Sequence, residues 1–252
     1  MKTIDQRFNL KNKVVVVIGG AGHLCSTLGR AMAESGMKVC VLDRPEAPDK
    51  DRSNYPMTYW KCDATSKADL DRCCAEILKK YKRVDVLLNG AGVNAPTPFL
   101  DIQTDEMDRI LQSHLYATLY ASQVFGAAML KQKSGSIINF ASASSGPPLS
   151  KAFIYSIAKA GIANLTQNLA REWATQGVRV NALRPGFFPT QWSMKHFIDA
   201  DRKKSILGHT PMGRFGKPEE LIGATLWLAS DAASFVTGSL VAVDGGFTAM
   251  TI

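Results

Sequence analysis

Val14-Val15-Val16-Val17-Ile18 runs without a break into Gly19-Gly20-Ala21-Gly22, and this junction constrains the chain more than any other feature. Five consecutive β-branched residues leave no polar face for water, so they read as a strand buried on both sides, as in a parallel sheet covered by helices. The glycines permit a tight turn. Leu28, Ala31 and Met32 then recur at helical spacing within 24–35, and Gly36 supplies a stop. The fold therefore opens as strand, glycine turn and helix.

The alternation continues down the chain. Segments 38–42, 57–62, 84–88, 136–140, 178–183 and 240–243 read as strands. Segments 67–81, 104–131 and 155–175 read as helices, as does one opening at Pro218-Glu219-Glu220 with proline and acids in its first turn. Strands alternating with helices imply right-handed crossovers. The expected class is α/β: a Rossmann-type, doubly wound parallel sheet flanked by helices on both faces. With 252 residues, 46% of them hydrophobic, the chain can bury one full core, and residues 1–252 are expected to form a single domain.

Composition narrows the function classes. No stretch reaches the roughly 20 apolar residues needed to cross a bilayer, and residues 1–13 lack the apolar run of a secretory signal, so a cytoplasmic protein without membrane association is expected. Cys25, Cys40, Cys62, Cys73 and Cys74 are odd in number and follow no metal-ligand spacing. They read as small buried hydrophobes in a reducing compartment, with no metal site. The net charge of +8 is dispersed, its densest cluster being Arg202-Lys203-Lys204, and no nucleic-acid-binding motif accompanies it. A solvated face explains the charge.

In doubly wound sheets, ligands bind beyond the carboxyl ends of the strands. The residues there are 19–24, Asp43, Asp63, 89–92, 141–145 and 184–190. A glycine turn leading from a buried strand into a helix lets backbone N–H groups and the helix dipole meet a pyrophosphate. Gly19, Gly20 and Gly22 supply that turn, with His23 and Leu24 opening the helix. Asp43 ends the second strand about twenty residues later, where a carboxylate accepts hydrogen bonds from ribose hydroxyls and repels a 2′-phosphate. This favours NAD over NADP. Asp43 also reads as a turn residue before Arg44-Pro45, and Arg44 itself could tolerate a phosphate.

These residues fall into an order and spacing that resembles the short-chain dehydrogenase/reductase family along essentially the whole chain. Asn89-Gly90-Ala91-Gly92 resembles the family's turn beside the adenine, and Cys62-Asp63-Ala64 its adenine-contacting segment. Ser142 followed by Tyr155-Ser156-Ile157-Ala158-Lys159 resembles the catalytic serine and the Tyr-x-x-x-Lys pair. Asn181-Ala182-Leu183-Arg184-Pro185-Gly186 is similar to the segment that places the nicotinamide; Phe188 and Thr190 follow it, Thr190 matching the carboxamide or phosphate contact. Asp244-Gly245-Gly246 resembles a C-terminal signature. Three positions depart from the family: His23 and Cys25 stand where glycines are usual, and His114 stands where the catalytic asparagine is expected.

The resemblance implies hydride transfer between nicotinamide and a secondary alcohol or ketone carbon. Tyr155 and Lys159 are four apart on a helix and share a face, so both can look into the cleft, with Ser142 approaching from the preceding strand. Ser142 would bind the substrate oxygen and Tyr155 would act as general base or acid, while Lys159 lowers the phenol's pKa and holds the nicotinamide ribose. His114 either holds a water linking Lys159 to solvent, adding an ionisation near neutrality, or is a neutral helix histidine satisfied by a carbonyl.

Substrate choice is expected to rest on a lid at about 187–212 and on the loop 143–151. Lys151, Lys195, His196 and Arg202 could bind an anionic substrate, and a solvated surface explains them equally well. The stretch 208–216 and the Gly-Gly-Ala-Gly-His-Leu-Cys turn are similar to a subgroup of mannonate/fructuronate-type oxidoreductases, which implies a sugar, sugar acid or polyol as the small-molecule substrate. A 3-oxoacyl-thioester reductase is the alternative enzyme, though it would normally use NADPH, in conflict with Asp43. A dinucleotide-sensing regulator without catalysis is the alternative outside enzymes, and the intact Ser142, Tyr155 and Lys159 oppose it. Family members commonly form homotetramers, and the apolar faces of the long helices are compatible with that.

Overall fold

Backbone hydrogen bonding joins seven parallel strands: β1 (Val14–Ile18), β2 (Lys38–Asp43), β3 (Met57–Lys61), β4 (Val86–Asn89), β5 (Gly135–Phe140), β6 (Val178–Pro185) and β7 (Leu240–Val243). Their order across the sheet is β3-β2-β1-β4-β5-β6-β7. The structure, a computed structural model, describes residues 2–44 and 57–250. Pro45, after Arg44, lies outside the described residues.

The order reverses between β1 and β4, which makes the carboxyl ends of these two strands the switch point of a doubly wound sheet. The uninterrupted apolar run of β1 has a simple cause. Val14, Val16 and Ile18 pack into one core beneath α3 (Lys67–Tyr81), α5 (Ala117–Gln132) and α6 (Phe153–Trp173), while Val15 and Val17 pack into a second core beneath α2 (His23–Glu34) and α9 (Ile222–Ala229). Both sides of the strand are dry.

The remaining helices are α1 (Ile4–Phe8), α4 (Thr104–Leu111), α7 (Gln191–His196) and α8 (Ala200–Gly208). Three expectations are refined by the structure. The helix expected over 104–131 is α4 and α5 joined by a π turn, Gln112–Tyr116, a local widening that hydrophobic periodicity does not register. The stretch 187–212 carries α7 and α8, short polar helices opened by capping Thr190 and Asp199. The segment at Pro218 begins as a 3-10 turn, Pro218–Leu221, before α9.

Candidate active site

A cleft of about 830 Å³ opens at the carboxyl ends of β1, β2, β3 and β4. From the glycine turn it takes Gly19, Ala21 and Gly22. Gly19 has φ +71°, and a methyl there would come within 2.8 Å of the Ala91 Cα, so the turn can sit against the β4 turn only without a side chain. Asp43 fixes the turn from the other side: its Oδ2 accepts from the Ala21 N–H at 2.9 Å and its Oδ1 from the Arg44 N–H at 2.8 Å. Asp63, Ala64, Ala91 and Gly92 complete the expected lining. Asp63 also accepts from the Thr65 N–H and hydroxyl, holding the turn that leads into α3.

Three of the residues expected on the adenosine and pyrophosphate side do not line this cleft. Asn89 does not line the cleft; it is 4% exposed, and its amide donates to the Asn139 side chain at 2.9 Å and toward Ser122 at 3.4 Å. It ties β4 to β5 and α5, as alternation along β4 requires of the residue after buried Leu88. His23 and Leu24 form the first turn of α2, and neither lines the cleft. The departure at Cys25 is absorbed locally, because its Sγ fills the space above Gly90, where a methyl would come within 2.0 Å of it. Burial pushes the Cys25 and Cys40 thiols up to about 12, as expected of inert packing residues. Ala21 and Arg44 line the cleft too, and Thr65 does so without having been singled out for it, as do Asp105, Asp108, Arg109, Gln112 and Ser113 of α4 and the π turn. Helical periodicity places these last residues on a polar face, and only the tertiary fold turns that face toward β4.

These groups fit a dinucleotide. A bare turn with its helix N-terminus is suited to the pyrophosphate, and a carboxylate at the end of β2 is suited to a ribose.

At the β5 end of the same sheet edge, Ser142 caps the 3-10 turn Ala143–Ser145, its Oγ 3.1 Å from the Ser144 hydroxyl. Tyr155 lies in the first turn of α6, with its hydroxyl beside Ser142. Enclosure raises the phenol above its ordinary pKa of 10, and the neighbouring Ser142 hydroxyl opposes the rise. Lys159, 4% exposed, lies one turn further on, its Nζ 5.6 Å from the centre of the Tyr155 ring. Its Nζ donates to the Phe140 carbonyl at 2.6 Å, and burial brings its pKa down from 10.5 to about 7.

His114, inside the π turn, is 5% exposed. Its Nε2 lies 2.8 Å from the Val93 carbonyl, which can only accept, so Nε2 carries the proton and Nδ1 the lone pair. Nδ1 is buried without a partner among the described residues. Burial, reinforced by Lys159, holds the imidazole well below its ordinary 6.5. Of the two readings of His114, the bond to the Val93 carbonyl is the one that the histidine satisfied by a carbonyl requires.

The nicotinamide-side candidates occupy the next loop. Pro185 is buried at the end of β6, and Gly186 packs against Asp244, whose Cα would meet a methyl at 2.7 Å. Phe188 packs against Gly216, and the Thr190 hydroxyl caps α7 by accepting from Ser193 N–H at 3.0 Å. Of the cations proposed for substrate, Lys151 pairs with Asp199 at 3.1 Å, and Arg202 donates to the Ser150 hydroxyl and carbonyl, both at 2.7 Å. They clasp α8 to the loop before Tyr155. Lys195 is exposed on α7, and the side chain of His196 lies outside what the structure describes.

Comparison with known proteins agrees with this geometry. A family model described as enoyl-(acyl carrier protein) reductase matches residues 24–248. An uncharacterized oxidoreductase, UxuB, of Bacillus subtilis is 40% identical, covering 96% of both chains. An NAD-dependent glycerol dehydrogenase of Listeria innocua is 34% identical over 98% of both. The crystal structure of a D-mannonate oxidoreductase from Haemophilus influenza, described as putative and with bound NAD, superposes with a TM-score of 0.90 at 32% identity, covering 99% of both chains. The chain belongs to the short-chain dehydrogenase/reductase family. It is an oxidoreductase that acts on CH–OH groups with a nicotinamide dinucleotide.

Proposed function

We propose that this enzyme uses NAD(H) to move a hydride to or from a secondary alcohol or ketone carbon of a sugar, sugar acid or polyol, with Tyr155 as the acid/base. The observation that carries the chemistry is the convergence of Ser142, Tyr155 and Lys159 beside the dinucleotide-shaped cleft. The observation that favours NAD is Asp43, whose carboxylate ends β2 on the cleft wall.

Ser142 holds the substrate oxygen by hydrogen bonding, and the Tyr155 hydroxyl beside it reaches the same oxygen. During oxidation Tyr155 takes the alcohol proton as the carbon gives up its hydride; during reduction it returns the proton. When bound, the oxidised nicotinamide supplies the hydride acceptor and a positive ring that favours the phenolate. Lys159 holds the ribose, and His114 Nδ1 accepts a hydrogen bond from a water that links Lys159 toward solvent. Asp63, Ala64, Ala91 and Gly92 border the adenine; Pro185, Gly186, Phe188 and Thr190 border the nicotinamide.

The segment 187–212, held by the Arg202–Ser150 and Lys151–Asp199 contacts, acts as the substrate lid of one domain spanning the chain. Exposed Phe99, Leu100, Tyr116, Phe153 and Ile157 on α4–α6 and their connections favour a homotetramer. Among the described residues no helix is long and apolar enough to cross a membrane, and the five cysteines are free, consistent with a cytoplasmic site of action.

The test is reduction of NAD⁺ and of NADP⁺ by purified protein with aldonates, uronates, sugars, polyols and simple secondary alcohols, beside Tyr155→Phe. Turnover of a sugar-derived substrate, abolished in Tyr155→Phe, is expected. Turnover of none of them by a protein that still binds NADH would sink the proposal.

A further inference from the structure

Arg184 is the penultimate residue of β6, next to the Pro185-Gly186 turn, and among the described residues its guanidinium forms no salt bridge. Along β6, Val180 belongs to the core beneath α3, α5 and α6, and Leu183 to the opposite core. Alternation therefore directs Arg184 to the face covered by α6, the helix that carries Tyr155 and Lys159. There its Nε reaches the Ser142 carbonyl at 3.4 Å. One Nη lies against Gly146, where a methyl would come within 3.0 Å of it, so the absence of a side chain at 146 leaves room for the guanidinium.

The acid that feels Arg184 is Asp244, and its oxygens are taken: Oδ1 by the Gly246 N–H at 2.9 Å, and Oδ2 by the Thr248 N–H at 2.9 Å and the Thr248 hydroxyl at 2.6 Å. Among the described residues no carboxylate pairs with Arg184, and neither of its terminal nitrogens donates a hydrogen bond. A part-buried guanidinium anchored by one nitrogen, with its two-pronged end unsatisfied, is matched by a carboxylate that accepts two parallel bonds. Two other cations near the lid lack this property, since Lys151 and Arg202 are already engaged across it.

We propose that Arg184 recognises a carboxylate on the substrate, so that the preferred substrate is a sugar acid whose acid end rests on this guanidinium while a secondary alcohol faces Ser142 and Tyr155. This rests on the reading above that the enzyme acts on sugar-derived carbons. It names the feature that separates a sugar acid from a polyol of the same skeleton.

The decisive experiment measures kcat/KM for an aldonate and for the alditol of the same configuration, such as mannonate with mannitol, in wild type, Arg184→Met and Arg184→Lys. NADH binding and circular dichroism verify the fold, and Arg184→Gln replaces Arg184→Met should the latter not fold. The wild type is expected to favour the aldonate. In Arg184→Met the aldonate-to-alditol ratio is expected to fall at least tenfold, chiefly through KM, with partial recovery in Arg184→Lys. A ratio that stays within twofold, with both substrates losing kcat together, would make Arg184 a support for Ser142 and overturn the assignment. Wild-type turnover of the alditol alone overturns it too while leaving the broader reading in place; turnover of neither substrate overturns both.

Discussion

The His114 imidazole stands edge-on to the Tyr155 ring, with centroids 5.1 Å apart and planes at 84°. A histidine in this place changes what the π turn offers the site. Its Nε2 proton is committed to the Val93 carbonyl, and the lone pair on Nδ1 is left in a buried, polar corner beside Tyr155 and Lys159. Such a lone pair is costly to bury unmatched, and a water or the Lys159 ammonium would satisfy it.

If that acceptor is what the site needs, His114→Asn should retain kcat within about threefold, because the amide oxygen also accepts. His114→Leu should lose roughly tenfold or more, about the worth of one hydrogen bond in a buried network. The pH profile of kcat discriminates further. Since the imidazole is held neutral well below 6.5, the profile should gain no limb from it, and wild type and His114→Asn should superpose across the neutral range. Equal rates for the leucine and asparagine variants would remove His114 from the proton path.

Stability should depend on pH through the same corner. Lys159 has a pKa of about 7 when folded and 10.5 as its ordinary value. Between these values the unfolded chain binds more protons than the folded one, so stability rises with pH across that window, and the cost of burying the charged ammonium is felt in full below it. His114 acts in the same sense lower down, because a histidine kept neutral in the fold loses stability to protonation of the unfolded chain as pH drops below 6.5. Melting temperatures of dinucleotide-free protein should therefore climb from pH 7 toward 10.5 in wild type and flatten over that range in Lys159→Met. An unchanged slope in that variant would contradict the assignment.

Much of this was legible in the sequence because the strands are short and those at the centre of the sheet are buried and apolar. Val14–Ile18 could be nothing but a doubly covered strand, and the residues following each strand fell on the functional edge by topology alone. What escaped depends on direction rather than position. Asn89 sits at the right place in the chain, but its side chain points into the core, toward Asn139. The α4 residues of the cleft wall have an ordinary polar helical pattern. Arg184 lay inside a motif recognised for its Pro-Gly, and only the three-dimensional structure engages Lys151, Arg202 and Asp244 with other groups and leaves it, among the described residues, without a carboxylate partner.

Asp43 makes the choice of dinucleotide testable. Its carboxylate braces the Ala21 N–H and, on the function proposed above, confronts the adenosine ribose, with Arg44 beside it. Asp43→Asn keeps an acceptor for the turn but removes the negative charge that would repel a 2′-phosphate. The ratio of kcat/KM with NAD⁺ to that with NADP⁺ should fall roughly ten- to a hundredfold, mostly through a lower KM for NADP⁺. A ratio unmoved by the substitution would place the discrimination elsewhere on the cleft wall.

Gly92 and His114 should prove energetically coupled. Gly92 has φ +148°, and a methyl there would stand 1.9 Å from the His114 ring, which cannot retreat because Val93 holds its Nε2 and Tyr155 lies across its edge. Gly92→Ala should thus combine backbone strain with overpacking, roughly 2–4 kcal/mol in all. Only the overpacking part involves the imidazole. In a His114→Ala background the methyl gains space, and the cost of Gly92→Ala should fall to about the strain alone, some 1–3 kcal/mol. A double-mutant cycle by urea denaturation measures the difference. Additive costs would mean that the β4 turn moves away from the ring on its own, and that the close packing of Gly92 on His114 is not what holds the imidazole against Tyr155.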